Sequence, residues 1–233
     1  MSLLTVIQKS ADLLNIPRPL FVAGNTDQQV RQLFALTNEE GDELAQAADW
    51  EYLREQYIFT TVAQDDQTSA VPADLDRFIS NSFFNRTTRR TIIGPITPQQ
   101  WQAIKAQPQL NRVFLAFVQR HGKFLVTPTP AAGQEIAYEY VSKNWCHSST
   151  GTPQSEYLID SDEAYLDERL IILGVRWRFL KSKGLDYAED FRTYMSQRTQ
   201  KMARDGANSE ISTTGDDQYI LSPNIPEGSF PGP

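Results

Sequence analysis

The apolar side chains of this chain repeat with a helical period at both ends and with a two-residue period between them. One chain can satisfy both periods only by combining helices with strands, because the two elements place their buried faces at different intervals. The first helical set ends before Pro17 and Pro19, since proline disfavours helix in the residue that precedes it. Its apolar face is predicted to consist of Leu3, Ile7, Ala11 and Leu14.

A second helical set continues from Val30 to Ala48. Thr26 followed by Gln29 has the spacing of a capping box, which predicts the start of this helix. Gly41 interrupts the helix-forming residues, and we interpret it as a point where another helix approaches closely.

The middle of the chain predicts a β-rich region. The pair His121-Gly122 lies between two apolar runs, which is typical of a hairpin turn. The run at 113–118 is apolar on both faces, so we expect it to be buried in a sandwich or barrel. Thr97, Pro98 and Gln100 predict the start of one short helix. Further strands are expected at residues 57–62, 77–84, 91–93, 124–127 and 136–140.

Helical spacing returns after Ser161. Two apolar stripes run along the first of these helices, which indicates packing against two partners. Gly184 suits the end of that helix, and Asp186 with Glu189 suits the start of the last one. The stripes consist of Leu166, Leu170, Leu173 and Trp177 on one side and Ile171 and Val175 on the other.

These patterns predict an α+β fold. The N- and C-terminal helix pairs form a helical bundle, an antiparallel β-sandwich or barrel-like region is inserted between them, and an extended C-terminal tail follows. The predicted divisions are 1–50 and 159–206 for the two parts of the helical domain, 51–158 for the β-rich insertion and 207–233 for the tail.

The tail differs in composition from the rest of the chain. After Arg204 there are five acidic residues and four prolines but no Lys or Arg, and helical or strand periodicity is lacking. Several large apolar side chains nevertheless occur there, and we interpret them as anchors that are held by a neighbouring subunit or another partner. They are Tyr219, Ile220, Leu221, Ile225 and Phe230.

Charge and cysteine content exclude several classes of function. The formal net charge is −7, which disfavours tight nucleic-acid binding because affinity depends on neutralising phosphates. The single cysteine, Cys146, permits neither an intrachain disulfide nor a cysteine-based zinc site. The N-terminal residues lack the pattern of a signal peptide, and no apolar run is long enough to predict a membrane span.

The motifs of common enzymes are missing from the sequence. It contains neither a glycine-rich phosphate loop nor a Gly-x-Ser-x-Gly nucleophile elbow. His121 falls in the predicted turn, and the adjacent pair Cys146-His147 is ill placed for a nucleophile and its base. Asp160, Asp162 and Glu163 could bind a hard cation, but we favour a helix cap for these acids. We therefore predict no catalysis, no cofactor and no metal.

Two groups of residues are candidates for contacts between subunits. Arg86, Arg89 and Arg90 form the densest basic cluster, which could meet the acids or phosphates of a neighbour or simply be an exposed loop. Trp145 and Trp177 are expected in a core or an interface rather than as platforms for ligand stacking.

Several stretches, in this order, resemble the head-to-tail adaptor, or tail tubular, proteins of tailed bacteriophages. The resemblance covers nearly the whole chain, and its specificity lies in the combination rather than in any catalytic signature. The stretches are Arg77-Phe78 through Asn85-Arg-Thr-Thr-Arg-Arg90, Ile93-Gly-Pro-Ile-Thr-Pro98 with Trp101, Tyr140-Val-Ser-Lys-Asn-Trp145, Tyr165-Leu-Asp-Glu168 with Gly174, Trp177-Arg-Phe-Leu180 and Lys183-Gly-Leu-Asp-Tyr187.

The resemblance implies a structural virion protein at the head–tail junction, made in the host cytoplasm. It implies a homo-oligomeric ring, commonly a dodecamer, that contacts the portal protein and a tail protein of the nozzle or stopper type. Packaged DNA would pass through the channel without specific binding, and no membrane is involved. The C-terminal tail would carry the docking role.

Other interpretations remain open at this point. The chain could be another neck component, such as a stopper or tail-completion protein. The β-rich region, with Trp101, Tyr138, Tyr140 and Trp145, could be a small-molecule or carbohydrate-binding module. A metal-dependent hydrolase could use Asp160, Asp162 and Glu163. The mass of a ring-shaped oligomer would distinguish an adaptor from a ligand-binding module and from a hydrolase.

Overall fold

A computed structural model describes residues 1–106 and 115–206 of the chain. Its helices confirm the predicted alternation of helical ends and a β-rich middle. The part of the chain that is described contains α1 (Leu3–Leu13), α2 (Gln28–Ala47), α3 (Pro98–Ala106), α4 (Glu168–Ser182) and α5 (Ala188–Gly206), together with a short 3-10 helix at Glu51–Leu53.

The strands form three antiparallel sheets. The strands are β1 (Arg54–Thr60), β2 (Leu75–Phe78), β3 (Phe84–Asn85), β4 (Arg90–Thr91), β5 (Ala116–Arg120), β6 (Lys123–Thr127), β7 (Glu135–Ser142), β8 (Cys146–His147), β9 (Pro153–Gln154) and β10 (Glu163–Ala164). The largest sheet has the order β1-β7-β3-β4, with β2 also paired to β7, and the other two are β10-β8-β9 and the hairpin β5-β6.

The α+β class is confirmed, and the sheets are not closed into a barrel. Helix α4 is at the centre of the helical bundle, where it packs against α1, α2 and α5. Strand β7 has the equivalent position in the large sheet, because it pairs with β1, β2 and β3. Residues 113 and 114 of the predicted strand at 113–118 lie outside the described residues.

Sequence patterns that span only a few residues predicted some element boundaries correctly. The predicted helix start at Thr97 is confirmed and is a capping box, because Thr97 and Gln100 each accept a side-chain hydrogen bond from the other residue's backbone N–H. His121 and Gly122 both have positive φ, 50° and 73°, as a tight hairpin turn requires. The predicted cap of α2 is wrong, since Asp27 and not Thr26 accepts the bonds from Gln29 and Val30.

Two apolar clusters hold the structure together. The first lies among the helices and also includes residues of the β7–β8 region such as Val141, Trp145 and Cys146. The second lies within the sheets and is rich in aromatic rings, with Phe117 stacked on Phe124 at 4.6 Å between ring centroids. The proposed division into domains at 50, 158 and 206 stays a prediction.

Gly41 does mark a close approach, but the group that approaches is an indole ring and not a helix. A Cβ atom at this position would overlap the six-membered ring of Trp145. The close helix–helix approach lies instead at Gly174 of α4, where a Cβ atom would overlap the Glu40 carboxyl group of α2. Both glycines are therefore required by packing.

We expect Gly41→Ala to destabilise the chain. Overpacking costs about 1–3 kcal/mol, which exceeds the gain of at most about 1 kcal/mol in helix propensity. Urea unfolding followed by circular dichroism measures the difference. Trp145→Phe replaces the facing indole with a smaller ring, so the stability losses of Gly41→Ala and Trp145→Phe should not add in the double variant. Losses that do add would contradict a direct contact between the two residues.

Candidate interaction surfaces

A buried ionic cluster joins α2 to α4. The Arg178 guanidinium of α4 donates from Nε to Glu40 at 2.7 Å and from Nη1 to Glu39 at 3.0 Å, and it also pairs with Glu43. The Glu40 side chain is 0 % exposed and that of Arg178 is 9 % exposed. The cluster therefore fixes the packing of the two helices through a charge pair that water scarcely reaches.

The surroundings of Glu40 shift its acidity. Burial raises the pKa of this carboxyl group above its ordinary value, and the bond from Arg178 opposes that shift. Tyr194 of α5 is 1 % exposed and interacts with the same carboxyl group. One buried acid thus lies where α2, α4 and α5 meet.

Within the described residues, helix α5 is covered along a narrow side only. Tyr194 is buried, whereas most other described side chains of this helix are exposed or half-buried. Tyr187 and Phe191 flank the Trp177 ring at centroid distances of 6.3 and 5.1 Å, and their outer faces remain exposed. We call the apolar surface formed by Leu185, Tyr187, Phe191 and Met195 the hairpin face.

The acidic loop at 158–163 binds backbone amides. Asp160 accepts hydrogen bonds from the N–H groups of Val22 and Ala23, the latter at 2.7 Å. The Asp162 carboxylate accepts hydrogen bonds from the backbone N–H groups of Leu158 and Ile159 at 2.7 and 2.8 Å. The expected capping of the following helix by these acids is wrong, because Asp167 caps α4 instead.

The same loop binds the backbone N–H groups at the start of α1. Its carbonyl groups at Asp160 and Asp162 accept from the N–H groups of Leu4 and Leu3, which begin α1. The loop therefore joins the first helix to the segment that precedes α4. The Asp160 carboxylate holds the backbone of residues 22–23, so two pairs of exposed apolar residues adjoin this contact along the chain. We call these residues, Leu20, Phe21, Leu158 and Ile159, the loop face.

Arg86 and Arg89 of the basic cluster lie on the connection between β3 and β4, Arg90 begins β4, and all three arginines are exposed. Arg86 donates to Glu135 at 3.0 Å and to Gln56 at 3.1 Å, so it is tied to the neighbouring strands. Arg89 has a positive φ of 55° at the turn. A contact between these arginines and a neighbouring subunit stays a prediction.

The two tryptophans lie in the helical core, one of the two expected positions, and a contact of either with a neighbouring subunit stays a prediction. Trp145 is 0 % exposed, donates from Nε1 to Asp42 at 2.8 Å and packs edge-on against Tyr157. Trp177 is 8 % exposed and lies beneath Tyr187 and Phe191. Trp145 is fully covered by its own chain, so its ring exposes no surface to a neighbouring subunit. Trp177 can contact a neighbour only together with Tyr187 and Phe191, which cover it.

Cys146 and His147, the candidates for nucleophilic chemistry, are both engaged in contacts within the fold. Burial raises the pKa of the Cys146 thiol to about 12, and the thiol donates to the Gln154 carbonyl at 3.3 Å. The thiol therefore stays protonated at neutral pH. The Nδ1 atom of the adjacent His147 is bonded to the Ser148 carbonyl at 2.9 Å.

A groove of about 540 Å³ lies where α5 ends. Lys201 pairs with Asp167 there, and Asp205 accepts from the N–H of Glu51 at 2.9 Å. These contacts fix the end of the helix from which the C-terminal tail departs. The tail anchors Tyr219, Ile220, Leu221, Ile225 and Phe230 lie outside the described residues.

Residues 1–106 and 115–206 bear on metal binding and on membrane crossing. No group of three or more His, Cys, Asp or Glu side chains in these ranges is arranged to hold a metal ion. In the same ranges, no helix combines the length and the apolar character that crossing a membrane requires.

Sequence reasoning missed two features. The Arg178 cluster was signalled by Glu39, Glu40 and Glu43, which share one side of α2 at intervals of three and four residues. The hairpin face was signalled by Tyr187, which directly precedes α5, and by Phe191 and Met195 within it, because the three recur every four residues. Neither pattern revealed which charges are buried or which apolar side chains stay uncovered.

The structure combines a helical bundle with an inserted set of antiparallel sheets, and several apolar side chains on its described surface are exposed. The family model described as SU10 adaptor protein matches residues 1–225, so the chain belongs to the SU10 adaptor protein family. It is accordingly a structural adaptor protein of bacteriophage, a component of the virion. No curated protein matches the chain.

Proposed function

We propose that this adaptor forms a homo-oligomeric ring at the head–tail junction, where it joins the portal protein to a tail protein of the nozzle or stopper type. The family match over residues 1–225 is the observation that carries the proposal. The proposed ring is a dodecamer, and packaged DNA passes through its channel. The formal charge of −7 suits this passage, because an acidic protein repels DNA.

The C-terminal tail supplies the contact with the portal in this proposal. It begins after Gly206, contains no Lys or Arg and carries its apolar anchors between Tyr219 and Phe230. A segment that becomes ordered on docking contributes contact area late, which suits stepwise assembly. Weak contacts from many copies add up once a ring closes, since the effective concentration of each further contact is high.

Truncation after Ala207 tests the role of the tail. We expect the truncated chain to keep its circular dichroism spectrum, because the described elements end at Gly206, and to lose binding to heads that carry a portal. Sedimentation with purified, tail-less heads measures binding. The full-length chain is the control. A variant with a scrambled tail sequence shows whether portal binding depends on the order of the tail residues or only on their composition. Undiminished binding of the truncated chain would assign the portal contact to the helical body.

A further inference from the structure

Strand β1 lies at an edge of the largest sheet, where it pairs with β7 on one side. Just after the strand, the Thr61 N–H bonds to the Gln134 carbonyl at 2.8 Å, on the side of β7. The direction of the backbone groups alternates along an antiparallel strand. The N–H and C=O groups of Gln56, Ile58 and Thr60 therefore point away from β7, toward the outer edge.

The described part of the chain closes this outer edge at both ends but not in the middle. At one end the Arg54 N–H donates to the Glu51 carbonyl. At the other end the buried Gln67 amide accepts from the Val62 N–H at 2.8 Å and donates to the Val62 carbonyl at 3.0 Å, as a neighbouring strand would. Between these caps, no hydrogen bond from residues 1–106 or 115–206 reaches the outward backbone groups of residues 56–60.

The stretch between the caps has the character of a strand that pairs further. Proteins usually guard an open edge with charged side chains, proline or a bulge. Residues 56–60 contain no charged residue and no proline, and their register with β7 is unbroken. Apolar side chains adjoin the edge on both faces of the sheet, since Phe59 is buried on one face and Ile58 is 44 % exposed on the other. An added strand would bond to the outward groups and cover this apolar surface.

The C-terminal tail leaves the described structure beside this edge. Asp205, at the end of α5, accepts a hydrogen bond from the N–H of Glu51, three residues before β1 begins. The connection at 207–217 can span about 40 Å, which exceeds the length of about 23 Å of β1. The part of the tail that follows this connection can therefore reach any position along β1.

The tail contains a run that suits the open edge. Residues 218–222 include Tyr219, Ile220 and Leu221 in succession, so the run is apolar on both faces when it is extended, as the edge of β1 is. Gly215 and Pro223 bound the run, and both residues are typical of strand ends. Its length of five residues equals that of the uncapped stretch at 56–60.

We infer that residues 218–222 of the tail pair with the outer edge of β1 in the same chain while the protein is free. The inference goes beyond the proposed function, because it concerns the chain before it meets a portal. Docking of the tail on the portal then competes with β1 for the same residues. The pairing also keeps free copies from associating edge to edge through β1.

Residue-resolved amide hydrogen exchange of the isolated full-length chain, measured by NMR, tests the inference. We expect the outward N–H groups of residues 56, 58 and 60 to exchange about tenfold or more slowly than in the full-length Ile220→Pro variant. The proline removes a donor from the added strand and disfavours its pairing. The N–H groups of Tyr57 and Phe59 point toward β7, so their unchanged protection shows that the fold is intact.

Asn224→Pro is the matched control, because it places a proline in the tail just beyond the run. We expect it to exchange like the unchanged chain. Equal exchange of the outward groups in the unchanged chain and in Ile220→Pro would overturn the inference. Protection that disappears on dilution would also overturn it, because a second copy would then cover the edge. Loss of portal binding on truncation after Ala207, without the exchange difference, would overturn the pairing with β1 and leave the proposed function intact.

Discussion

Arg178→Ala is expected to destabilise the chain by about 3–5 kcal/mol at pH 7, the cost of leaving a buried charge without its partner. The change removes the guanidinium that bonds to Glu40, whose side chain is 0 % exposed. Urea unfolding measures the loss. Arg192→Ala is the control, because its pair with Glu189 is exposed and 3.8 Å long, and we expect a change within about 0.5 kcal/mol.

The cost of Arg178→Ala should depend on pH. Burial already raises the pKa of Glu40, and losing the arginine raises it further. A carboxyl group with a raised folded-state pKa contributes stability that is fully present below its unfolded pKa, about 4.3, and is lost as pH rises through the folded value. The variant should therefore lose more stability at pH 8 than at pH 5. An equal loss at both pH values would contradict a charged Glu40 as the cause.

The same cluster predicts the outcome of a double change. Arg178→Met with Glu40→Met removes both charges and fills similar volume with apolar groups, so we expect stability near that of the unchanged chain. Two additive losses would show that the residues act independently.

Trp145→Ala is expected to cost about 3–5 kcal/mol, as is usual when a buried tryptophan is truncated. The indole is 0 % exposed, fills the space above Gly41 and donates to Asp42. Thermal and urea unfolding measure the effect. Tyr52→Ala removes an aromatic ring that is 74 % exposed and should change stability by about 0.5 kcal/mol or less.

The result for Trp145 also bears on its predicted place between subunits. A variant that is as stable as the unchanged chain but fails to assemble would contradict the core position. A destabilised variant that still assembles at low temperature is the outcome that the structure leads us to expect.

Elements with strong local signals were predictable from the sequence. The capping box at Thr97 and the turn at His121-Gly122 depend on side chains and dihedral angles within a few residues, and both are present. The cap of α2 was misplaced by one residue, because Thr26 and Asp27 are both good caps and only the structure shows which side chain accepts the amide bonds.

Strand boundaries were less predictable because partners distant in sequence decide them. The strand expected at 77–84 is divided by Asn81, whose φ of 62° breaks the extended backbone, into β2 and β3. The strand expected at 57–62 begins at Arg54, where pairing with Val141 of β7 starts. Apolar alternation gives the face of a strand but not the extent of its partner.

The candidate surfaces were the hardest to predict. The sequence identified Trp145 and Trp177 as core or interface residues, yet burial by the chain's own helices separates those possibilities only in three dimensions. The loop face depends on bonds between Asp160 and residues 22–23, which are more than 130 positions apart. Contacts of such long sequence separation leave no periodic signal along the chain.

The mass of the assembly formed with the portal is the most direct test of the adaptor proposal. Native mass spectrometry of the 26.5 kDa chain alone should give a monomer, and mixing with purified portal rings should add a complete ring of adaptor copies, which we propose to be twelve. A portal whose mass is unchanged by an excess of folded full-length protein would contradict the account, as would large rings that form without any portal present.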